Sequence, residues 1–91
     1  MAHNIRFNDA ASRFELEEQG HLAYADCAKE NGVLRIKYVF APDALRGQGT
    51  AGRLMDGIVA FARTENLKIL PICGYAASWL RKHQEHHDLM V

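Results

Sequence analysis

The chain has 91 residues, 48% of them hydrophobic and 24% charged, which predicts one globular domain spanning 1–91 around one core. Lysine plus arginine equals aspartate plus glutamate at 11 each, and this zero net charge argues against general nucleic-acid binding and against attachment to an anionic membrane. No apolar run approaches the ~20 residues that span a bilayer, and Met1 to Arg6 carries no apolar stretch suited to a signal peptide, so a cytoplasmic location is expected.

In chain order, Ile5 and Phe7 suggest a short first strand. Ser12 to Glu17 alternates polar and apolar, the period of a half-buried strand, and Gln19-Gly20 marks a turn. Leu22 to Ala28 alternates a larger series (Leu22, Tyr24, Asp26) with a smaller one (Ala23, Ala25, Cys27) and reads as the next strand. Asn31-Gly32 is a two-residue hairpin signal, because both residues tolerate positive φ. Val33 to Phe40 follows, with Leu34, Ile36, Tyr38 and Phe40 assigned to one face and Arg35 and Lys37 to the other. Pro42 has no N–H for a ladder and ends the run.

After the glycines the period becomes helical. Leu54, Ile58 and Phe61, with Met55, Val59 and Ala62 beside them, predict an amphipathic helix from about Gly49 to Glu65. Leu67 to Pro71 reads as a buried strand, and Tyr75 to about Gln84 as a helix burying Ala76, Trp79 and Leu80. The expected class is α+β: antiparallel β-strands followed by helix, strand and helix.

Arg46, Gly47, Gln48, Gly49, Thr50, Ala51 and Gly52 sit between a strand and a helix. The first N–H groups of a helix lack intrahelical partners and carry the positive end of the dipole, and glycines let a ligand approach the backbone. The combination suits phosphate, with Arg46 as an added charged donor. Without a ligand, the same glycines would serve only to shape a tight turn. The loop is neither a Walker A motif, which needs Gly-Lys-Ser/Thr, nor a dinucleotide-binding GxGxxG, which needs a βαβ setting.

Arg46-x-x-Gly49-x-Ala51 resembles the signature of the GCN5-related N-acetyltransferases, and the resemblance extends from about Phe14 to Val91. Pro42, Arg46-Gly47-x-Gly49, Pro71-x-Cys73-x-Tyr75-Ala76 and a tail with His83, Glu85 and Asp88-Leu89 resemble a small single-domain subgroup of that family. The resemblance implies that Val39, Phe40 and Ala41 pair with the pantetheine arm of acetyl-coenzyme A. It likewise implies that the amides of Arg46, Gly47, Gln48, Gly49, Thr50, Ala51 and Gly52 hold the pyrophosphate. The implied activity is transfer of acetyl from acetyl-coenzyme A to an amine, weak or narrow in scope. The alternative is a non-catalytic coenzyme A-binding or sensor module, and a third reading is an interaction protein that binds no coenzyme.

Two separated cysteines in a cytosolic chain are expected to be free thiols. Cys73 lies just before a predicted helix, a position that favours thiolate, and it matches the subgroup's proposed catalytic cysteine. It would serve as acyl-accepting nucleophile or as acid to the departing thiolate; otherwise it is a small buried hydrophobe. Tyr75 is the alternative acid. Cys27, among alanines, reads as structural. Tyr38 and Val39 stand where many subgroup members carry His-Thr, which removes an imidazole base. Gly74, Trp79, Gln84 and His86 also depart from the subgroup's usual residues. His83 and His87 could share a helical face, but two imidazoles without a third ligand do not define a metal site, and none is assigned. The acceptor amine is not specified, and a monomer or weak homodimer is expected, since an edge strand invites pairing.

Overall fold

A computed structural model describes residues 5–91. Its elements are β1 (Ile5–Asn8), β2 (Arg13–Glu18), β3 (His21–Glu30), β4 (Val33–Phe40), α1 (Thr50–Glu65), β5 (Lys68–Pro71) and α2 (Gly74–Lys82), with 3-10 turns at Asp43–Leu45 and Gln84–Leu89. The strands form one sheet in the order β1-β2-β3-β4-β5, antiparallel through β4 and parallel between β4 and β5. This is the expected α+β class, with the short first strand present.

Both long hairpins turn on two positive-φ residues: Gln19 and Gly20 at 52° and 76°, Asn31 and Gly32 at 52° and 77°. That is the turn whose twist matches paired strands. The core face of the sheet carries Phe14 and Leu16 of β2, Ala23, Ala25 and Cys27 of β3, Leu34 and Ile36 of β4, and Ile69 of β5. Small side chains on the central strand let α1 lie close, and Leu54, Met55, Ile58, Val59 and Ala62 fill the space. Each large side chain buried this way stabilises the fold by about 1.5–3 kcal/mol. Ala76, Trp79 and Leu80 of α2 enter the same cluster, so both helices cover one face.

The assignment of Tyr38 and Phe40 to the face of Leu34 and Ile36 needs correction. Asp26 pairs with Tyr38 but Cys27 pairs with Ile36, so Lys37 is an extra residue in a β-bulge. The bulge exchanges the faces: Val39 and Ala41 pack on the core, while Tyr38 and Phe40 join Tyr24 on the opposite side. The strand read as buried is also more open than expected. Only Ile69 of β5 is buried and Leu70 is 41% exposed, because no helix covers the outer face beyond Arg35, its neighbour in β4.

The outer face holds one enclosed charge. Glu15 is buried and accepts from Arg6 at 2.8 Å, Asn8 at 3.1 Å and Arg13 at 2.7 Å. The Arg13 bond, then the Asn8 bond, hold its carboxyl below the usual range despite burial. At the far edge the tail adds to the sheet, with Ile69 bridging Met90 and Val91 N–H donating to Ile69 O at 3.1 Å. No helix among the described residues is long and apolar enough to cross a membrane.

Candidate functional site

The site begins where two parallel strands part. β5 follows β4 from Val33↔Lys68 to Ile36↔Pro71, and the N–H groups of Ile72 and Cys73 then both donate to the Ile36 carbonyl, at 2.9 and 3.0 Å. From there the chain turns into α2. Among the described residues, Lys37 to Phe40 therefore have a strand neighbour only on the β3 side.

Beyond Ala41 the chain makes a 3-10 turn and enters the glycine loop. Gly47 and Gly49 take φ of 75° and 78°, left-handed conformations that explain glycine at both positions. Gly49 is the N-cap of α1, and no side chain caps the helix there. The first helical bond joins Arg53 N–H to Gly49 O at 3.0 Å, so the N–H groups of Thr50, Ala51 and Gly52 precede any intrahelical acceptor. A cavity of about 290 Å³ opens on this turn. It brings together seven sequence-predicted residues: Ala41, Arg46, Gly47, Gly49, Thr50, Ala51 and Gly52. Leu45 and Tyr75 complete its wall, whereas Val39, Phe40, Gln48 and Cys73 stand outside it. Arg46 is exposed and held by Asp43 through Nε at 2.9 Å.

Two residues that frame the loop had no local signal in the sequence. Glu18, at the end of β2, accepts from Thr50 Oγ1 at 2.6 Å and from Arg53 Nε and Nη2 at 2.6 and 2.8 Å. Arg53 also donates to Gln48 O at 2.8 Å. Gln48 itself donates to Ala44 O at 3.0 Å and accepts from Gln19 at 2.7 Å. The loop is thus fixed from the sheet side by a bidentate ion pair between residues 35 positions apart.

α2 starts on the other side of the cavity. Cys73 is its N-cap, half-buried and free, and its carbonyl accepts from Ala77 N–H at 2.9 Å. Tyr75 and Trp79 face α1: a Cβ at Gly52 would stand 4.0 Å from Tyr75 Oη and 3.6 Å from Trp79 Nε1. Burial, then the electrostatic influence of Asp56 and of Cys73, push the Tyr75 phenol up from its ordinary value. Cys27 is fully buried, and desolvation pushes its thiol up to about 12, leaving it uncharged. His83 Nδ1 bonds Trp79 O at 2.7 Å and His87 Nε2 bonds Leu80 O at 3.0 Å, so the two rings engage separate carbonyls. No group of three His, Cys, Asp or Glu side chains among the described residues is placed to hold a metal ion.

Strands that part beside a glycine loop at a helix start define a class, and sequence comparison agrees with the geometry. A family profile described as GCN5-related N-acetyl-transferase matches residues 13–89, and the chain belongs to that family. Among solved structures, it is similar to the NMR solution structure of a candidate GCN5-like N-acetyltransferase from Staphylococcus aureus. The two are 27% identical, the match covers 100% of this chain and 91% of that one, and the TM-score is 0.75. No curated protein matches the chain.

Proposed function

We propose that the chain binds acetyl-coenzyme A and transfers its acetyl group to a primary amine. The observation that carries this reading is the continuity of two openings. The stretch of β4 without a β5 neighbour, 37–40, runs through Ala41 into a loop whose helix-start N–H groups have no partner among the described residues. An extended arm bearing amides suits the first opening, and pyrophosphate oxygens suit the second. The Glu18 carboxylate does not oppose the anion, since Arg53 and Thr50 engage it.

In direct transfer the amine nitrogen forms a bond to the thioester carbonyl carbon. The C–S bond then breaks with its electron pair left on sulfur, the sulfur takes a proton, and the nitrogen loses one to solvent or a second amine. Tyr75 is the acid favoured by position, because it lines the cavity and its raised phenol stays protonated at neutral pH. In the covalent route the Cys73 thiolate attacks first, releasing coenzyme A, and the amine takes acetyl from Cys73 Sγ in a second step.

The test is a calorimetric titration with acetyl-coenzyme A, then intact mass after incubation and turnover of Cys73→Ala and Tyr75→Phe. A gain of about 42 Da that Cys73→Ala removes supports the covalent route. Turnover without an adduct, lost in Tyr75→Phe, supports direct transfer. Binding without turnover on any amine supports a coenzyme-binding or sensor module instead. Absence of binding overturns the reading.

A further inference from the structure

The bare backbone of Gly52 faces a polar group that neither transfer route uses. Trp79 is only 8% exposed, and its Nε1 lies 3.6 Å from the position a Cβ at Gly52 would take. Its N–H has no acceptor among the described residues, and the nitrogen is not sealed from solvent. The ring is not free to turn away. It stacks on His83 at 3.8 Å and 16°, and His83 is pinned by the bond from Nδ1 to Trp79 O. A largely buried indole thus holds an unused donor beside the first turn of α1, next to the cavity of the glycine loop.

We propose that Trp79 is a binding residue of the coenzyme site, its indole N–H donating to a neutral amide carbonyl of the pantetheine arm where that arm crosses Gly52. This rests on the coenzyme reading above and specifies which part of the ligand lies there. A neutral acceptor fits better than a phosphate. The cation of the loop, Arg46, is held at its outer end by Asp43, and Asp56, one turn beyond Gly52 on α1, brings negative charge to bear on Tyr75. The indole N–H is a donor only, so the partner it takes is an oxygen, and an amide carbonyl of the ligand would replace water in that role. Absence of a Cβ at residue 52 leaves the room such an oxygen requires.

Trp79→Phe keeps an aromatic ring for the His83 stack and removes the N–H. We would titrate it, and the wild type, with coenzyme A, 4′-phosphopantetheine and adenosine 3′,5′-bisphosphate. The expected result is a loss of about three- to tenfold in affinity for the first two, the value of one neutral hydrogen bond, with the bisphosphate unchanged. Two readouts remain if Trp79→Phe does not fold. Trp79 is the only tryptophan, so the wild-type indole N–H resonance in an NMR titration should move with phosphopantetheine and not with the bisphosphate. Gly52→Ala, whose Cβ meets both rings at ordinary contact distance, should fold and bind coenzyme A less tightly. Unchanged affinity in Trp79→Phe, a still indole resonance, or full affinity in Gly52→Ala overturns the proposal. An equal loss for the bisphosphate overturns the amide assignment and gives the indole to a phosphate. Failure of the wild type to bind coenzyme A overturns the coenzyme reading, and this inference with it.

Discussion

The two helices of this molecule start differently, although neither start has a side-chain cap. α1 begins at Gly49 in a left-handed conformation, after a second left-handed glycine, with its first N–H groups facing a cavity. α2 begins at Cys73 in extended backbone, and the N–H groups of Ile72 and Cys73 are both spent on Ile36 O. One start is held open from behind by Glu18 and Arg53, and the other is tied to the sheet. An uncapped helix start is therefore not in itself a ligand site. Each start leaves three N–H groups ahead of its first helical bond, those of Thr50 to Gly52 in α1 and of Gly74 to Ala76 in α2. What separates the two is the approach, left-handed glycines beside a cavity in one and an extended chain tied to the sheet in the other.

Substitutions at the two starts should sharpen this contrast, beginning with the largest effect. Gly49→Val forces a β-branched residue to φ near 78° with Arg53 Nη1 only 3.1 Å from its Cβ. We expect loss of about 1–3 kcal/mol in stability by thermal unfolding and loss of measurable coenzyme A binding by calorimetry. Glu18→Ala should follow, lowering stability by about 1–3 kcal/mol as Arg53 and Thr50 lose their acceptor. It should also loosen the loop, which hydrogen exchange of the Gly47 to Ala51 amides would detect. Arg46→Ala should weaken coenzyme A binding about three- to tenfold, more at low salt than at high, with no change in unfolding. Its pair with Asp43 is too exposed to hold the fold. The smallest effect belongs to the second start. Gly74 has ordinary φ and nothing within 4 Å of a Cβ, so Gly74→Ala should leave stability unchanged or raise it by up to about 1 kcal/mol. A large loss there would show that the start of α2 is not the settled structure described.

The alkaline limb of activity tests Tyr75 as the acid. A proton donor must be protonated to act, and the Tyr75 phenol is raised above its ordinary value of 10.0. Transfer that depends on Tyr75 should therefore persist through pH 10 and fall above it, provided the fold remains intact by circular dichroism.

Much of this was legible in the sequence because the signals are local. Asn31-Gly32 fixes a hairpin through φ, the three- and four-residue spacing marks α1, and Gly47 and Gly49 lie where a chain turns into a helix. Lys37 was not legible: a period-2 pattern gives no sign of one inserted residue, and the inference for Tyr38 and Phe40 failed at that point. Glu18 and Arg53 were missed because their bond joins β2 to α1, and neither residue is unusual beside its neighbours. Gly52 was read as part of the phosphate loop. Its facing of Tyr75 and Trp79 depends on how α2 lies against α1, which no local pattern encodes.

Gly57 carries a practical consequence for shortening the chain. A Cβ there would collide with Ile5 Cδ1, so α1 has a dent that β1 fills, and Phe7 contacts Phe14 and Phe61 from the same strand. β1 lies outside the segment, 13–89, that the family profile matches. A fragment trimmed to that segment would keep the whole glycine loop and both helix starts, yet lose the key that fits the dent. Expression designs should therefore retain residues 5–8, and residue 57 should stay glycine in any stabilised version.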